Sequence, residues 1–151
     1  TPGCAISPQI TALTGIDDAM VAGAPTFDMA ADAILAALAG RIFVAHNVRF
    51  DWSFVDAELR RNRGLALEGP RLCTVRLSRR LVRGLTSHSL DQVTAHFNLD
   101  NGARHRAAGD ALVTAEILRR LLAMAVEMGA RTLEDLEVLR AGKRGSGEGN
   151  S

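Results

Sequence analysis

The sequence predicts an α/β fold in which helices flank a sheet of short strands. Two short apolar runs, Arg41–His46 and Arg71–Val75, each precede a segment with helical character. Short apolar runs without polar alternation are typical of strands buried inside a sheet. A third observation is the long segment after Asp110, whose apolar residues recur at helical spacing. The repeated strand-then-helix order favours an α/β architecture.

Capping residues and glycines mark where the helices begin and end. Ser7, with a proline behind it, begins a short helix through Leu13, and Gly15 ends that helix. Thr26 begins a second helix with one apolar face, and Gly40 ends it. Three further helices are expected from Phe50 to about Arg63, from the end of the second strand to Val82, and from Ser87 or Ser89 to Phe97. A long helix from about Asp110 to Met128 carries an apolar stripe that is expected to face the sheet. A last helix begins at a Thr132–Asp135 cap and ends near Leu139.

Length and composition favour one globular domain, residues 1–141, followed by a flexible tail or linker at 142–151. A chain of 151 residues with 47% hydrophobic content is long enough to bury one sizeable core. The last ten residues contain no apolar side chain. No apolar run is long enough to span a bilayer, and no signal-peptide pattern is present. We therefore expect a cytoplasmic protein without a membrane partner.

The net charge of +1 gives no overall attraction to nucleic acid, so binding of a polyanion requires a local patch. One candidate is a basic helical face after the second strand, formed by Arg76, Arg79, Arg80 and Arg83. These side chains could contact phosphates. A solvated helix face explains them equally well.

The first segment with chemically useful side chains follows the first strand. His46 and Asn47 end that strand, and Phe50 and Asp51 come next, where a helix begins. Ligand sites of open α/β sheets lie at the carboxyl ends of strands, so Asp51 could bind a metal and Phe50 could contact a base or sugar. The alternative assigns Asp51 to the helix N-terminus, Asn47 to a turn and Phe50 to the core.

The second such segment joins His105 to Asp110, five positions later. A carboxylate in the first turn of a helix can hold a metal, while a histidine in the preceding loop acts as acid or base near neutral pH. The alternative is that Asp110 complements the helix N-terminus and that His105 is a solvated loop residue.

Together, the two segments resemble the second and third motifs of the DEDDh exonucleases, a ribonuclease H-like family that includes the proofreading epsilon subunit of bacterial DNA polymerase III. Val44-Ala45-His46-Asn47 followed by Phe50-Asp51 resembles the second motif, and His105-Arg106-Ala107-Ala108-Gly109-Asp110 resembles the third. The resemblance extends over about residues 2–127. It implies a ribonuclease H-like mixed sheet flanked by helices.

This resemblance also assigns roles to individual residues. Asp51 and Asp110 are expected to bind two divalent cations, Mg²⁺ or Mn²⁺, and His105 is expected to be the general base that takes a proton from the attacking water. His46, Asn47 and Phe50 are expected to position the 3′-terminal nucleotide.

The chain departs from the family pattern in one large respect. The family's first motif, Asp-x-Glu, supplies two further carboxylates, and no Asp-x-Glu precedes Asp51. Two strands are also few for a stable sheet, so we expect about fifty family residues with three strands to be absent from this N-terminally incomplete chain. By itself the chain is expected to be inactive.

The function expected from the resemblance is metal-dependent 3′→5′ exonuclease activity on single-stranded or frayed DNA 3′ ends, in proofreading or repair. Expected partners are a DNA polymerase subunit or a fused helicase or nuclease domain. Two alternatives remain open: an RNA-trimming exonuclease of the same fold, and a non-catalytic pseudo-exonuclease that serves as an interaction module. The motifs near Asp51 and Asp110 do not distinguish DNA from RNA.

Overall fold

The computed structural model describes residues 4–99 and 107–141. This part of the chain forms eight helices and two strands. In chain order they are α1 (Pro8–Thr14), α2 (Asp18–Ala22), α3 (Phe27–Leu38), β1 (Phe43–Ala45), α4 (Val48–Arg63), β2 (Arg71–Cys73), α5 (Thr74–Leu81), α6 (Leu90–His96), α7 (Ala107–Glu127) and α8 (Leu133–Ala141).

The two strands pair in parallel, with Val44 opposite Leu72. Helix α4 makes the crossover that parallel neighbours require. The pairing continues past the strands, because the Val75 N–H donates to the His46 carbonyl over 3.1 Å. Both strands predicted from the apolar runs are confirmed, and their carboxyl ends meet at one edge of the sheet.

Local capping explains why several helices begin where the sequence predicts. Ser7, Thr26 and Ser89 each accept a hydrogen bond from the backbone N–H three residues later. Ser89 is therefore the cap of α6, which decides between the two serines considered. Thr132 and Asp135 form a reciprocal capping pair ahead of α8, with bonds of 2.9 and 3.1 Å. The predicted tail at 142–151 lies outside the described residues.

Helix α2 is an element that the sequence did not predict. It has five residues, none of them buried, so no apolar periodicity marks it. Its two aspartates act locally: Asp17 accepts the N–H of Met20 over 2.8 Å, and Asp18 accepts the N–H of Ile6 over 2.9 Å. These carboxylates cap α2 and hold the preceding segment against it.

Strand β1 is only half-buried, so the expectation of a fully buried strand is wrong for the described residues. An apolar cavity of about 400 Å³ lies beside it, lined by Ile42, Val44, Leu72, Leu118 and Leu122 among others. The part of the chain that the structure describes therefore covers this strand incompletely.

Helix α7 buries a narrower stripe than its sequence predicts. Ile117, Leu121 and Ala125 are buried, whereas Leu112 is 73% exposed and Met128, which directly follows the helix, is 58% exposed. The helix packs chiefly against α5 and α6 rather than against the two short strands. The expected stripe is therefore too broad, and its buried part faces α5 and α6 more than the strands.

Two apolar clusters hold the described residues together. The larger one joins α5, α6, α7 and α8 around the fully buried side chains of Leu77, Val93 and Ile117. The smaller one lies between α3 and α4 around Ala31 and Leu59. Helix α5 is central to the larger cluster, because it contacts both α7 and α8.

Within residues 4–99 and 107–141, no helix combines the length and the apolar character needed to cross a membrane.

Leu77→Ala is expected to lower the free energy of unfolding by about 2–5 kcal/mol, because it leaves a cavity at a side chain with no exposed surface. Leu112→Ala makes the same chemical change at a position that is 73% exposed, and it should change the free energy by less than about 0.5 kcal/mol. Urea unfolding followed by circular dichroism measures both values. Equal losses in the two variants would contradict the assigned core.

Candidate active site

The segment after β1 turns directly into α4, and this turn presents the predicted polar residues. Asn47 is the N-cap residue, and its backbone carbonyl accepts the N–H groups of Phe50 at 2.9 Å and of Asp51 at 3.4 Å. The Asn47 side chain makes no capping hydrogen bond and is exposed. Its amide therefore remains available for a ligand.

His46 is held from both sides by residues distant in sequence. Its Nδ1 lies 2.8 Å from Thr74 Oγ1, and its Nε2 lies 2.8 Å from the backbone carbonyl of His88. Because a carbonyl only accepts, Nε2 carries a proton and donates it, and in the neutral ring Nδ1 accepts from the Thr74 hydroxyl. The imidazole thus ties the end of β1 to the start of α5 and to the turn before α6.

Thr74 and His88 are site-supporting residues that sequence reasoning did not assign. Thr74 is fully buried at the first position of α5. His88 directly precedes the cap residue of α6, and its half-buried ring lies against Ser78, with Nδ1 2.9 Å from the serine Oγ. The only sequence signal for either residue was that Thr74 is a polar residue near the end of the apolar run at 71–75.

Phe50 and Asp51 both face outward from the first turn of α4. The Phe50 ring is 69% exposed, so the alternative that placed it in the core is wrong. Asp51 is exposed and forms no ion pair within residues 4–99 and 107–141. An exposed aromatic ring therefore lies next in sequence to an exposed carboxylate.

Asp110 occupies the first turn of α7, as predicted, and is half-buried beside the buried Gly109. A carboxylate at this position is favoured by the helix N-terminus. His105, the predicted general base, lies outside the described residues.

Carboxylate oxygens are hard ligands that suit Mg²⁺ or Mn²⁺, so Asp51 and Asp110 fit such a cation in kind. In the described ranges, no three His, Cys, Asp or Glu side chains gather closely enough to hold a metal ion. Two carboxylates from these ranges would therefore need further ligands to complete a cation site.

Comparison with known proteins adds to this geometry. A family model described as "RNase_T: Exonuclease" matches residues 1–118. The chain belongs to this exonuclease family. The match agrees with the resemblance to DEDDh exonucleases that the motifs around Asp51 and Asp110 predicted, and that resemblance is confirmed.

Relatives and a solved structure support the same assignment. The chain is 36% identical over 121 residues to the DNA polymerase III subunit epsilon of Aquifex aeolicus, covering 80% of this chain and 60% of the relative. It is 33% identical over 138 residues to the 3′-5′ exonuclease DinG of Bacillus subtilis, covering 91% of this chain and 15% of the relative. The chain therefore spans less than two thirds of the length of either relative.

The structure of "Exonuclease X in complex with 5′ overhanging duplex DNA" is similar to this chain, with a TM-score of 0.64 and 28% sequence identity. The match covers 92% of this chain and 76% of that one. The predicted ribonuclease H-like α/β class is confirmed by this similarity.

The stability of the domain is expected to depend on His88 at mildly acidic pH. Burial, together with the positive charges of Arg79 and His96, lowers the pKa of His88 below its ordinary value of 6.5. The unfolded chain then takes up the proton at a higher pH than the folded chain does, so the free energy of unfolding should decline as the pH falls below about 6.5. Denaturant unfolding at a series of pH values measures this decline.

His88→Gln should flatten this part of the pH dependence, because it removes the titrating ring. His96→Gln serves as the control, since burial is the larger cause of the shift and remains in that variant. A decline of the same steepness in the parent and in His88→Gln would exclude His88 as its source.

Proposed function

We propose that this domain provides the catalytic site of a metal-dependent 3′→5′ exonuclease that hydrolyses phosphodiester bonds at DNA 3′ ends. The observation that carries the proposal is the position of Asp51, exposed in the first turn of α4 directly beyond the parallel strand pair. Family membership and the first-turn position of Asp110 in α7 support it.

The two carboxylates have the chemistry to hold divalent cations together with further ligands. Two such cations would supply charge stabilisation for the attacking and leaving oxygens of an in-line displacement. In this proposal Asp51 and Asp110 are metal ligands, and His105 accepts the proton of the attacking water.

Three residues are proposed to position the 3′-terminal nucleotide. The exposed ring of Phe50 offers a stacking surface, and the Asn47 amide offers a donor and an acceptor. Both ring nitrogens of His46 already have protein partners. Its proposed role is therefore to contact the nucleotide through the ring surface while holding the turn in place.

The names of the relatives support a DNA substrate. Epsilon is named as a polymerase subunit, DinG as a 3′-5′ exonuclease, and Exonuclease X is described in complex with duplex DNA. We propose the same substrate class here, with single-stranded or frayed 3′ ends, and a polymerase subunit or a fused nucleic-acid enzyme domain as the partner.

Asp51→Asn and Asp110→Asn in the full-length protein are each expected to slow digestion of a 5′-labelled oligonucleotide by at least about a hundredfold, because each removes a proposed metal ligand. His105→Ala should slow it by about 10²–10⁴-fold, the usual contribution of a general base. Gel analysis of the shortened products measures the rates and the direction of digestion.

Glu134→Gln is the matched control, because it neutralises an exposed first-turn carboxylate in α8. It should digest the oligonucleotide at the parental rate. Asp110→Asn digesting as fast as the parent would overturn the role of Asp110. Faster digestion of RNA than of DNA in direct competition would support the RNA-trimming alternative instead.

Removal of divalent cations with a chelator is expected to stop hydrolysis, and addition of Mg²⁺ or Mn²⁺ should restore it. Mn²⁺ binding followed by electron paramagnetic resonance should weaken in Asp51→Asn and Asp110→Asn but not in Glu134→Gln. A full-length protein that neither binds Mn²⁺ nor hydrolyses either nucleic acid would instead be the non-catalytic interaction module.

A further inference from the structure

An open cleft of about 1050 Å³ extends from the proposed substrate residues His46 and Asn47. It is bordered by the start of α4, β2, α5, the turn before α6 and α8. We name it the arginine cleft, because its charged lining consists of Arg49, Arg71, Arg76, Arg79, Arg140 and one acidic residue, Glu137. Five guanidinium groups and one carboxylate leave four net positive charges on this lining.

Five of the nine described arginines outside the cleft form ion pairs, namely Arg60, Arg61, Arg63, Arg119 and Arg120. Arg60 pairs with Asp56, Arg63 pairs with Asp28, and Arg119 pairs with Glu116. Within the cleft, Arg140 lies 3.4 Å from Glu137.

The other cleft arginines differ from those paired ones. Arg49, Arg76 and Arg79 form no ion pair with any residue in the described ranges. A chain whose net charge is only +1 thus concentrates uncompensated positive charge on one concave surface.

The states of Arg71 and His88 also bear on the charge of the cleft. The Arg71 guanidinium lies 4.7 Å from the centre of the Trp52 ring, a cation–π contact that orients it. His88 also lines the cleft, and its lowered pKa keeps the ring neutral near pH 7. The positive charge therefore comes from guanidinium groups, which stay protonated at all physiological pH values.

The size of the cleft and the origin of its charges indicate an extended polyanion. A volume of about 1050 Å³ is slightly above the range of about 300–1,000 Å³ that is typical of small-molecule pockets. The arginines come from four different elements, with Arg76 and Arg79 one turn apart on α5. A positively charged groove that follows the backbone is the usual site for single-stranded nucleic acid.

We propose that the arginine cleft binds the phosphodiester backbone of a nucleic acid strand at nucleotides beyond its 3′ terminus. This inference rests on the proposed function for the class of ligand. His46 and Asn47 are proposed to hold the terminal nucleotide, and they line the same cleft. A strand that continues away from them passes the guanidinium groups of Arg49, Arg76 and Arg79.

The test measures binding without hydrolysis. Fluorescence anisotropy of labelled oligothymidylate and oligouridylate of about twenty nucleotides is recorded with the full-length protein in a chelator, at salt concentrations between about 50 and 200 mM. Arg76→Gln/Arg79→Gln should lower affinity about tenfold at low salt and reduce the salt slope by about 1.4, since each phosphate contact to a single strand contributes about 0.7. Arg49→Gln, on a different element, should reduce the slope by about 0.7.

Arg119→Gln/Arg120→Gln is the matched control, because it removes the same charge from exposed positions of α7 outside the cleft. It should change affinity by less than about twofold. Equal losses in the two double variants, or unchanged salt slopes, would overturn the proposal. Displacement of the oligonucleotides by polyglutamate at lower charge concentration would also overturn it, in favour of an acidic protein partner.

Because the chelator removes the divalent cations that hydrolysis requires, a failure of hydrolysis leaves this binding measurement unaffected. The proposed catalytic roles and the proposed binding of a strand in the arginine cleft are therefore tested separately.

Discussion

The parallel pairing of β1 with β2 is the constraint on which the candidate site depends. It sets the end of β1 beside the first residue of α5, so that His46 Nδ1 lies 2.8 Å from the Thr74 hydroxyl. The carbonyl of His88 completes the support of the imidazole. With His46 held, the chain turns into α4 with Asn47 and Asp51 directed away from the core. Asn47 and Asp51 are therefore exposed because the residues that hold the turn, such as Thr74, are buried beneath it.

Helix α5 connects the two parts of the site. Its first residue, Thr74, bonds to His46, and its buried face, which includes Leu77, packs against α7. The first turn of α7 holds Asp110. The positions of the two proposed metal-binding carboxylates therefore depend on the packing of one eight-residue helix. Loss of apolar contacts at Leu77 would loosen both.

The net charge of the chain does not show how unevenly positive charge is distributed over the described surface. Acidic side chains lie within reach of arginines on the outer faces of α4 and α7, as in the Arg60–Asp56 and Arg119–Glu116 pairs. Arg76 and Arg79 on α5 have no such partner in the described ranges. A nearly neutral chain can therefore carry a positive cleft, because ion pairs on α4 and α7 neutralise part of the positive charge outside it.

Much of the fold and several site positions follow from sequence alone, because their causes are local. The cap at Ser7, the strand run at 41–46 and the first-turn position of Asp110 depend on residues a few positions apart, and each was predicted. The short helix α2 and the half-burial of β1 were not, and only the structure decided between an exposed and a core position for Phe50. The contacts of His46 span 28 and 42 positions, and the arginine cleft combines residues from four elements. Only tertiary packing brings such distant side chains together, because no local periodicity or cap encodes which elements become neighbours.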